Sequence, residues 1–460
     1  MRKYFGDRAF YRRLFAVMIP ILIQNVITNF VSLLDNLMVG AVGTEQMSGV
    51  AIVNQLLFVF NLAIFGGISG AGIFTTQYYG SRNQEGIRQT VRMKYYIVLT
   101  VFALFFTAFV LFGEQLISLF LHESTEEIDL AMTLHYGKQY LSVMLIQMIP
   151  FAIMQVYAGT LRETGETRLP MLAGLVAIFV NLVLNYIFIF GKLGLPAMGV
   201  VGAAWATVIA RFVECGIVVI VPHLKKAKFP YLTGLFKSFR VGKKLLKDIF
   251  VKGLPLMLNE LLWSSGMTIL NQCYSYKGPE VVPALSISST VSNLFFCSFF
   301  AMGSTVAIIV GQHLGAGDFE KAVDEDRKLI VFSVLLCTAT GIVMAAVAPL
   351  IPQLYNTIDS VKALAMDLLI VSACMMPIDS YTNAAYFTLR SGGKTFITFL
   401  FDSGFVWTVS VPAAFILSHF TGVPIVPMFI IVRGLDIIKC VVGYIFIKRK
   451  KWVNNLTTDK

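Results

Sequence analysis

Three carboxylates occupy places where a chain seldom keeps any. Asp35, Glu260 and Asp379 each lie inside a long apolar run, and about 20 such residues suffice to cross a bilayer. An acid at that depth costs at least about 2.5 kcal/mol to insert, so it should face protein or a watery cavity. Asp35 has the most ordered surroundings. In residues 19–42, IPILIQNVITNFVSLLDNLMVGAV, the polar groups Asn25, Thr28, Asn29, Ser32, Asp35 and Asn36 recur every three or four positions. That spacing makes one polar stripe down a helix.

Glu260 continues through Ser264, Met267 and Asn271 on a similar face, and Asp379 shares a face with Thr382, Asn383, Tyr386 and Arg390. Pro377, two residues before Asp379, should leave backbone carbonyls available to a cation site. Asp402 is a fourth acid, for which a structural bond to a neighbouring loop is an equally good reading. Asn181 and Asn185 are one turn apart, and Thr207 can face them. Amides and hydroxyls can coordinate sodium but carry no titratable proton, so a proton switch in the first half falls to Asp35. Arg211 with Glu214, and Arg433 with Asp436 and Lys439, have i, i+3 spacing and read as ion pairs that neutralise themselves within one helix.

Such groups have to be carried on membrane helices. The chain has 460 residues, 57% hydrophobic and 14% charged, with a mean hydropathy of +0.74, whereas soluble domains carry about a quarter charged residues. The expected fold class is an all-α membrane protein. Twelve apolar runs fall near 14–40, 50–75, 95–112, 136–161, 169–190, 199–222, 248–273, 284–309, 329–350, 364–389, 396–417 and 424–447. The net charge of +11 does not indicate a nucleic-acid partner, because the basic residues collect on one set of loops: around Arg8 to Arg13, Arg82 to Lys94, Arg162 and Arg168, Lys225 to Lys252, Lys321 to Lys328, Arg390 and Lys394, and the tail from Lys448. The opposite loops hold only Lys138, Lys192, Lys277 and Lys362. This asymmetry predicts a multi-pass protein of the cell's inner or plasma membrane with both termini cytoplasmic and the basic loops near anionic lipid. The first apolar run is too long for a cleavable signal peptide. The six cysteines are scattered singly and read as packing residues. No zinc-protease, Walker or dinucleotide motif is found, so the chain reads as no enzyme and without a cofactor, its work driven by an ion gradient.

The second half repeats the first. Pro20, Gly43, Glu45, Gln77 and Gly80 fall on Pro255, Gly278, Glu280, Gln312 and Gly315 at a constant offset of 235, and LRETGET from Leu161 falls on LRSGGKT from Leu389 at an offset of 228. Each copy has six helices, an even number, so both enter from the same side, as in transporters with parallel repeats and a site near the midplane. The expected division is an N-lobe at 1–222, a cytoplasmic linker at 223–247 and a C-lobe at 248–460. Phe229, Tyr231, Leu235, Phe236 and Phe239 stand among the lysines of the linker and suit the inner membrane surface.

Ile19-Pro20, LLDNLMVGAVG ending at Gly43, Gln77 with YYG to Gly80, LRETGET, NLVLNYIFIFG from Asn181 and MGVVGAAWAT from Met198 together resemble the multidrug and toxic compound extrusion family. The resemblance covers nearly the whole chain. It implies two pseudo-symmetric six-helix lobes and the export of amphipathic, mostly cationic drugs by a monomer working through alternating access, in exchange for sodium or protons. It further implies that Asp35, with Asn181 and Thr207 beside it, serves the N-lobe cation site, and that Glu260 and Asp379 line the C-lobe cavity. A sodium ion is then expected at Asp35 or at Glu260 and Asp379, and Asn36 and Tyr386 join the acids in the substrate cavity. Asn185 stands where archaeal relatives carry an aspartate. The alternative is a lipid-linked precursor flippase of the same superfamily, which would want a cationic cavity instead.

Overall fold

The apolar runs fold as helices that overshoot them at one or both ends. In the computed structural model these are α1 (Arg8–Gly40), α2 (Thr44–Gly80), α3 (Gln84–Ser118), α4 (Leu130–Glu163), α5 (Arg168–Phe190), α6 (Gly199–Leu224), α7 (Lys243–Ser275), α8 (Val281–Ala316), α9 (Phe319–Val347), α10 (Asp359–Ser391), α11 (Thr395–His419), α12 (Ile425–Gly434) and α13 (Asp436–Lys448). The structure describes residues 4–40, 42–121, 129–355 and 357–458, without the side chains at 31–37 and 40. Asp35 and Asn36 therefore lie outside the described residues. Helices of 33 to 37 residues such as α1 and α2 rise about 50–55 Å. That exceeds a hydrocarbon core of about 30 Å, so their polar ends extend beyond it.

Among the described residues, ten helices are long and apolar enough to cross a membrane. Two of the twelve expected runs fall outside that count for local reasons. In α7, Asn259, Glu260, Ser264 and Ser265 dilute the apolar stretch; the last run is interrupted at Leu435, which splits it into α12 and α13.

The chain divides into two compact units. One comprises residues 23–75 and 84–248, the other residues 1–22, 76–83 and 249–460. In the first, α4 packs on α3 and α6, and α5 packs along α6. Asp129 caps α4 by accepting from the amides of Ala131 at 2.9 Å and Met132 at 3.1 Å, the usual way of satisfying orphan amides at a helix start. Phe60 of α2 meets the rings of Phe105 and Phe151 at 5.7 and 6.0 Å. The glycine-rich turn of α2 has a specific use: a Cβ on Gly72 would overlap the carboxylate of Glu163.

The linker after α6 is bound to α3. Arg88 donates to the carbonyls of Pro230 and Tyr231, and Arg92 to those of Gly234, Leu235 and Arg240. Phe229, Tyr231 and Leu235 are consequently buried in protein rather than offered to the membrane surface, and only Phe236 and Phe239 of the five stay exposed.

In the second unit α10 is central, packed on α8, α9 and α13. The ends of α2 and α8 cross so closely that a Cβ on Gly80 would overlap the Gln312 carbonyl, and one on Gly315 would overlap that of Gln77. The two contacts are reciprocal because the residues are repeat equivalents. The C-terminal tail reinforces the crossing: Gln77 donates to the carbonyls of Ser391 at 2.9 Å and Asn454 at 3.2 Å and accepts from the Leu456 amide at 2.7 Å. Trp452 beside it is fully buried.

Candidate functional site

The polar centre of the second unit is built on Asn259, one residue before Glu260. Its amide nitrogen donates to Asp402 Oδ2 at 3.0 Å and reaches the Tyr386 hydroxyl at 3.5 Å. Its Oδ1 accepts from the Ser403 amide at 3.2 Å, while the Ser403 hydroxyl donates to the Asn259 carbonyl at 2.7 Å. The local backbone of α11 makes this possible. Leu400–Gly404 and Val406–Ser410 are π-helical, a wider winding that often marks functional positions, and Asp402 and Ser403 sit on the first of these stretches. Asn259→Ala should leave Ser403 and Asp402 short of partners in a buried seam and destabilise the protein by about 1–3 kcal/mol, measurable as a lowered unfolding temperature in detergent.

Glu260 is half-buried on the adjoining face. No hydrogen bond reaches it among the described residues, and Arg390 and Asp402 act on it electrostatically. Arg390 lies over the Phe387 ring at 5.3 Å. Asp402 has a second partner in Lys439, 3.7 Å away, which also lies 3.4 Å from Asp436.

Asp379 is held differently from the sequence expectation. Arg433 donates to its Oδ2 at 2.6 Å, so the arginine spends its hydrogen bond across helices and not on Asp436. The break at Leu435 explains this, since it places Arg433 and Asp436 on separate helical segments, and Lys439 takes Asp436 instead. Pro377 does release a carbonyl, that of Ala373 four residues earlier. That oxygen packs against α9, 2.8 Å from where a Cβ on Gly341 would stand.

In the first unit the three neutral candidates meet as their spacing implies. Asn181 donates to Thr207 Oγ1 at 3.3 Å, and Asn185 donates to Asn181 Oδ1 at 3.2 Å. Arg211 pairs with Glu214 at 2.8 Å within α6. A further pair, Lys94 with Glu163, joins α3 to α4. Among the described residues no group of three or more His, Cys, Asp or Glu side chains is placed to hold a metal ion.

A family profile described as MatE matches residues 20–187 and again residues 255–416. The chain belongs to the MatE family. The double match begins at Pro20 and Pro255, the landmarks that opened the repeat register. A probable multidrug resistance protein NorM from Thermotoga maritima is 26% identical over 444 residues, covering 96% of this chain and 93% of the relative. The multidrug resistance protein MdtK of Pectobacterium atrosepticum is 25% identical, covering 88% and 87%. Among solved structures, a MATE protein in complex with MaL6 superposes with a TM-score of 0.85 at 20% identity, over 98% of both chains. An outward-facing multidrug resistance MATE family transporter gives 0.84 at 20% identity, over 98% of both chains. The fold is thus that of the twelve-helix MATE transporters.

Within this MatE chain, sequence reasoning missed Asn259, Ser403 and the cross-helix roles of Arg433 and Lys439. Asn259 left one usable signal: it is the repeat equivalent of Gln24, at the same offset of 235, and Gln24 accepts from Arg162 at 3.3 Å. Nothing in the sequence announces the π-helical stretch that presents Ser403.

Proposed function

We propose that this multi-pass membrane protein exports small amphipathic, mostly cationic compounds in exchange for a cation, its termini on the cytoplasmic side. The observation that carries the reading is Glu260: a carboxylate in a membrane helix, half-buried, with no hydrogen bond among the described residues and a polar network of Asn259, Asp402 and Tyr386 next to it. A group in that state can gain or lose a cation without dismantling the fold. The names of the relatives, multidrug resistance proteins, support the same class of cargo.

Protons fit this unit better than sodium. At Asp379 a sodium ion would have to displace the bonded guanidinium of Arg433, and beside Glu260 the Asp402 carboxylate is already engaged by Asn259 and Lys439. The acids here, Glu260, Asp379, Asp402 and Asp436, also outnumber the bases Arg390, Arg433 and Lys439, which is the wrong balance for a pyrophosphate-binding flippase. Asp35 is the proposed counterpart in the first half, with Asn181, Asn185 and Thr207 as its neutral support.

Alternating access then requires only that cation and drug each favour a different orientation of the protein. Drug efflux from proteoliposomes under separately imposed proton and sodium gradients tests the assignment: efflux should follow the proton gradient, and efflux driven by sodium alone would overturn it. Asp35→Asn should abolish gradient-driven efflux with the protein still folded in the membrane, as judged by monodisperse elution after extraction.

A further inference from the structure

We propose that the groove between the start of α3 and the linker binds the phosphate headgroup of an anionic phospholipid. The groove has a volume of about 640 Å³ and is lined by Glu85, Arg88, Arg92, Gly234, Lys237 and Arg240 among others. Four cationic side chains converge on it against one carboxylate. Glu85 is shared by Arg88 at 3.0 Å and Arg92 at 3.1 Å, so it offsets one charge of the four.

The four cations have different duties. Arg88 and Arg92 also donate to uncharged linker carbonyls, which fixes the floor of the groove without cancelling its charge. Lys237 and Arg240 are exposed, and neither side chain has a hydrogen bond or ion pair among the described residues. Two rigid cations beneath and two free donors at the rim suit a phosphate, which offers several acceptor oxygens to donors from different directions.

The surroundings select a lipid over a soluble phosphate. Phe236 and Phe239, 50% and 58% exposed, stand on either side of Lys237 in the linker, and a solvated anion has no use for exposed rings beside its groove. Tyr96, one turn beyond Arg92 on α3, is exposed and donates to the Phe239 carbonyl at 2.6 Å, and the same helix continues to Leu99, 58% exposed. One face of α3 therefore runs from the guanidinium groups, past aromatic rings, onto the apolar surface of a membrane-crossing helix. A phospholipid has the same order of chemistry: phosphate, interfacial backbone, hydrocarbon. The site lies at the charged start of α3, where the headgroup layer meets the helix, and its ligand is an inner-leaflet lipid if the linker is cytoplasmic. Anionic lipid attracts basic segments at that surface.

The test uses the full-length protein in micelles doped with equal amounts of phosphatidylglycerol and phosphatidylcholine, read by native mass spectrometry. The wild type should retain phosphatidylglycerol in clear preference, and Lys237→Ala with Arg240→Ala should lose most of that preference while the arginines that hold the linker remain. Phe236→Ser with Phe239→Ser, which leaves every charge in place, should also lower retention. Unchanged retention in both double variants would overturn the proposal. So would displacement of the lipid by millimolar inorganic phosphate, since the groove would then be a site for a soluble anion.

Discussion

Lys94→Met is expected to lower the stability of the first unit by about 3–5 kcal/mol, the usual cost of removing one partner from a buried ion pair. Lys94 is completely buried in α3, where its ammonium bonds Glu163 and donates to the Thr160 hydroxyl at 3.1 Å. Glu163 is only 17% exposed and lies against the bare backbone of Gly72, so water replaces the lost ammonium only in part. Methionine keeps most of the apolar stem and removes the ammonium with its hydrogen bonds to Thr160 and Glu163, so most of the loss reports the pair and only a small part the one missing heavy atom. The companion variant Glu163→Gln should also destabilise, because it strands the ammonium. Lys94→Met combined with Glu163→Gln should recover much of the loss, because a neutral amide beside a thioether costs less to bury than an isolated charge. Unfolding temperatures of the three purified variants in detergent decide it. If Lys94→Met unfolds within a degree or so of the wild type, the pair is not holding α3 to α4.

What the sequence discloses about this protein follows the range of the forces involved. Burial in oil acts on long stretches, so all twelve apolar runs reappear as helical segments, and the duplication is visible because a repeat preserves register over hundreds of residues. Contacts along one helix are legible too: Asn181 meets Asn185, and Arg211 meets Glu214, at the spacings their numbers imply. Partners on different helices are harder to read: Thr207 does meet Asn181, but an arginine such as Arg433 chooses among acids according to which segment its helix occupies after Leu435. For the same reason Phe229 and Tyr231 look like membrane-surface residues until Arg88 and Arg92 are seen holding the linker backbone. The change in helical winding around Asp402 is the least legible feature of all, since the groups that bond this stretch, on Asn259 and Leu262 of α7, are remote from it in sequence.

Glu260→Gln should bring gradient-driven drug efflux down to the level of protein-free vesicles while leaving the unfolding temperature close to that of the wild type. The two halves of this expectation have separate causes. Stability should hold because Glu260 makes no hydrogen bond among the described residues, so an isosteric neutral side chain breaks none and gives up only the through-space attraction of Arg390, which the nearby Asp402 opposes. Transport should fail because glutamine cannot exchange a proton: a cycle driven by ion binding needs a group whose charge differs between the two orientations. Asp379→Asn separates a coupling role from a structural one. It leaves the guanidinium of Arg433, 22% exposed, without its carboxylate, so it should lower the unfolding temperature as well as any transport, and Asp379→Asn with Arg433→Gln should restore part of the stability. A Glu260→Gln protein that still exports drug down an imposed proton gradient would remove Glu260 from the coupling step. One that fails to fold would show that its charge is structural, held by Arg390 in the way Arg433 holds Asp379. The contrast between an acid without a hydrogen bond and a hydrogen-bonded acid in one unit is therefore measurable in two variants, with the unfolding temperature reporting the pairing and the efflux rate reporting the coupling.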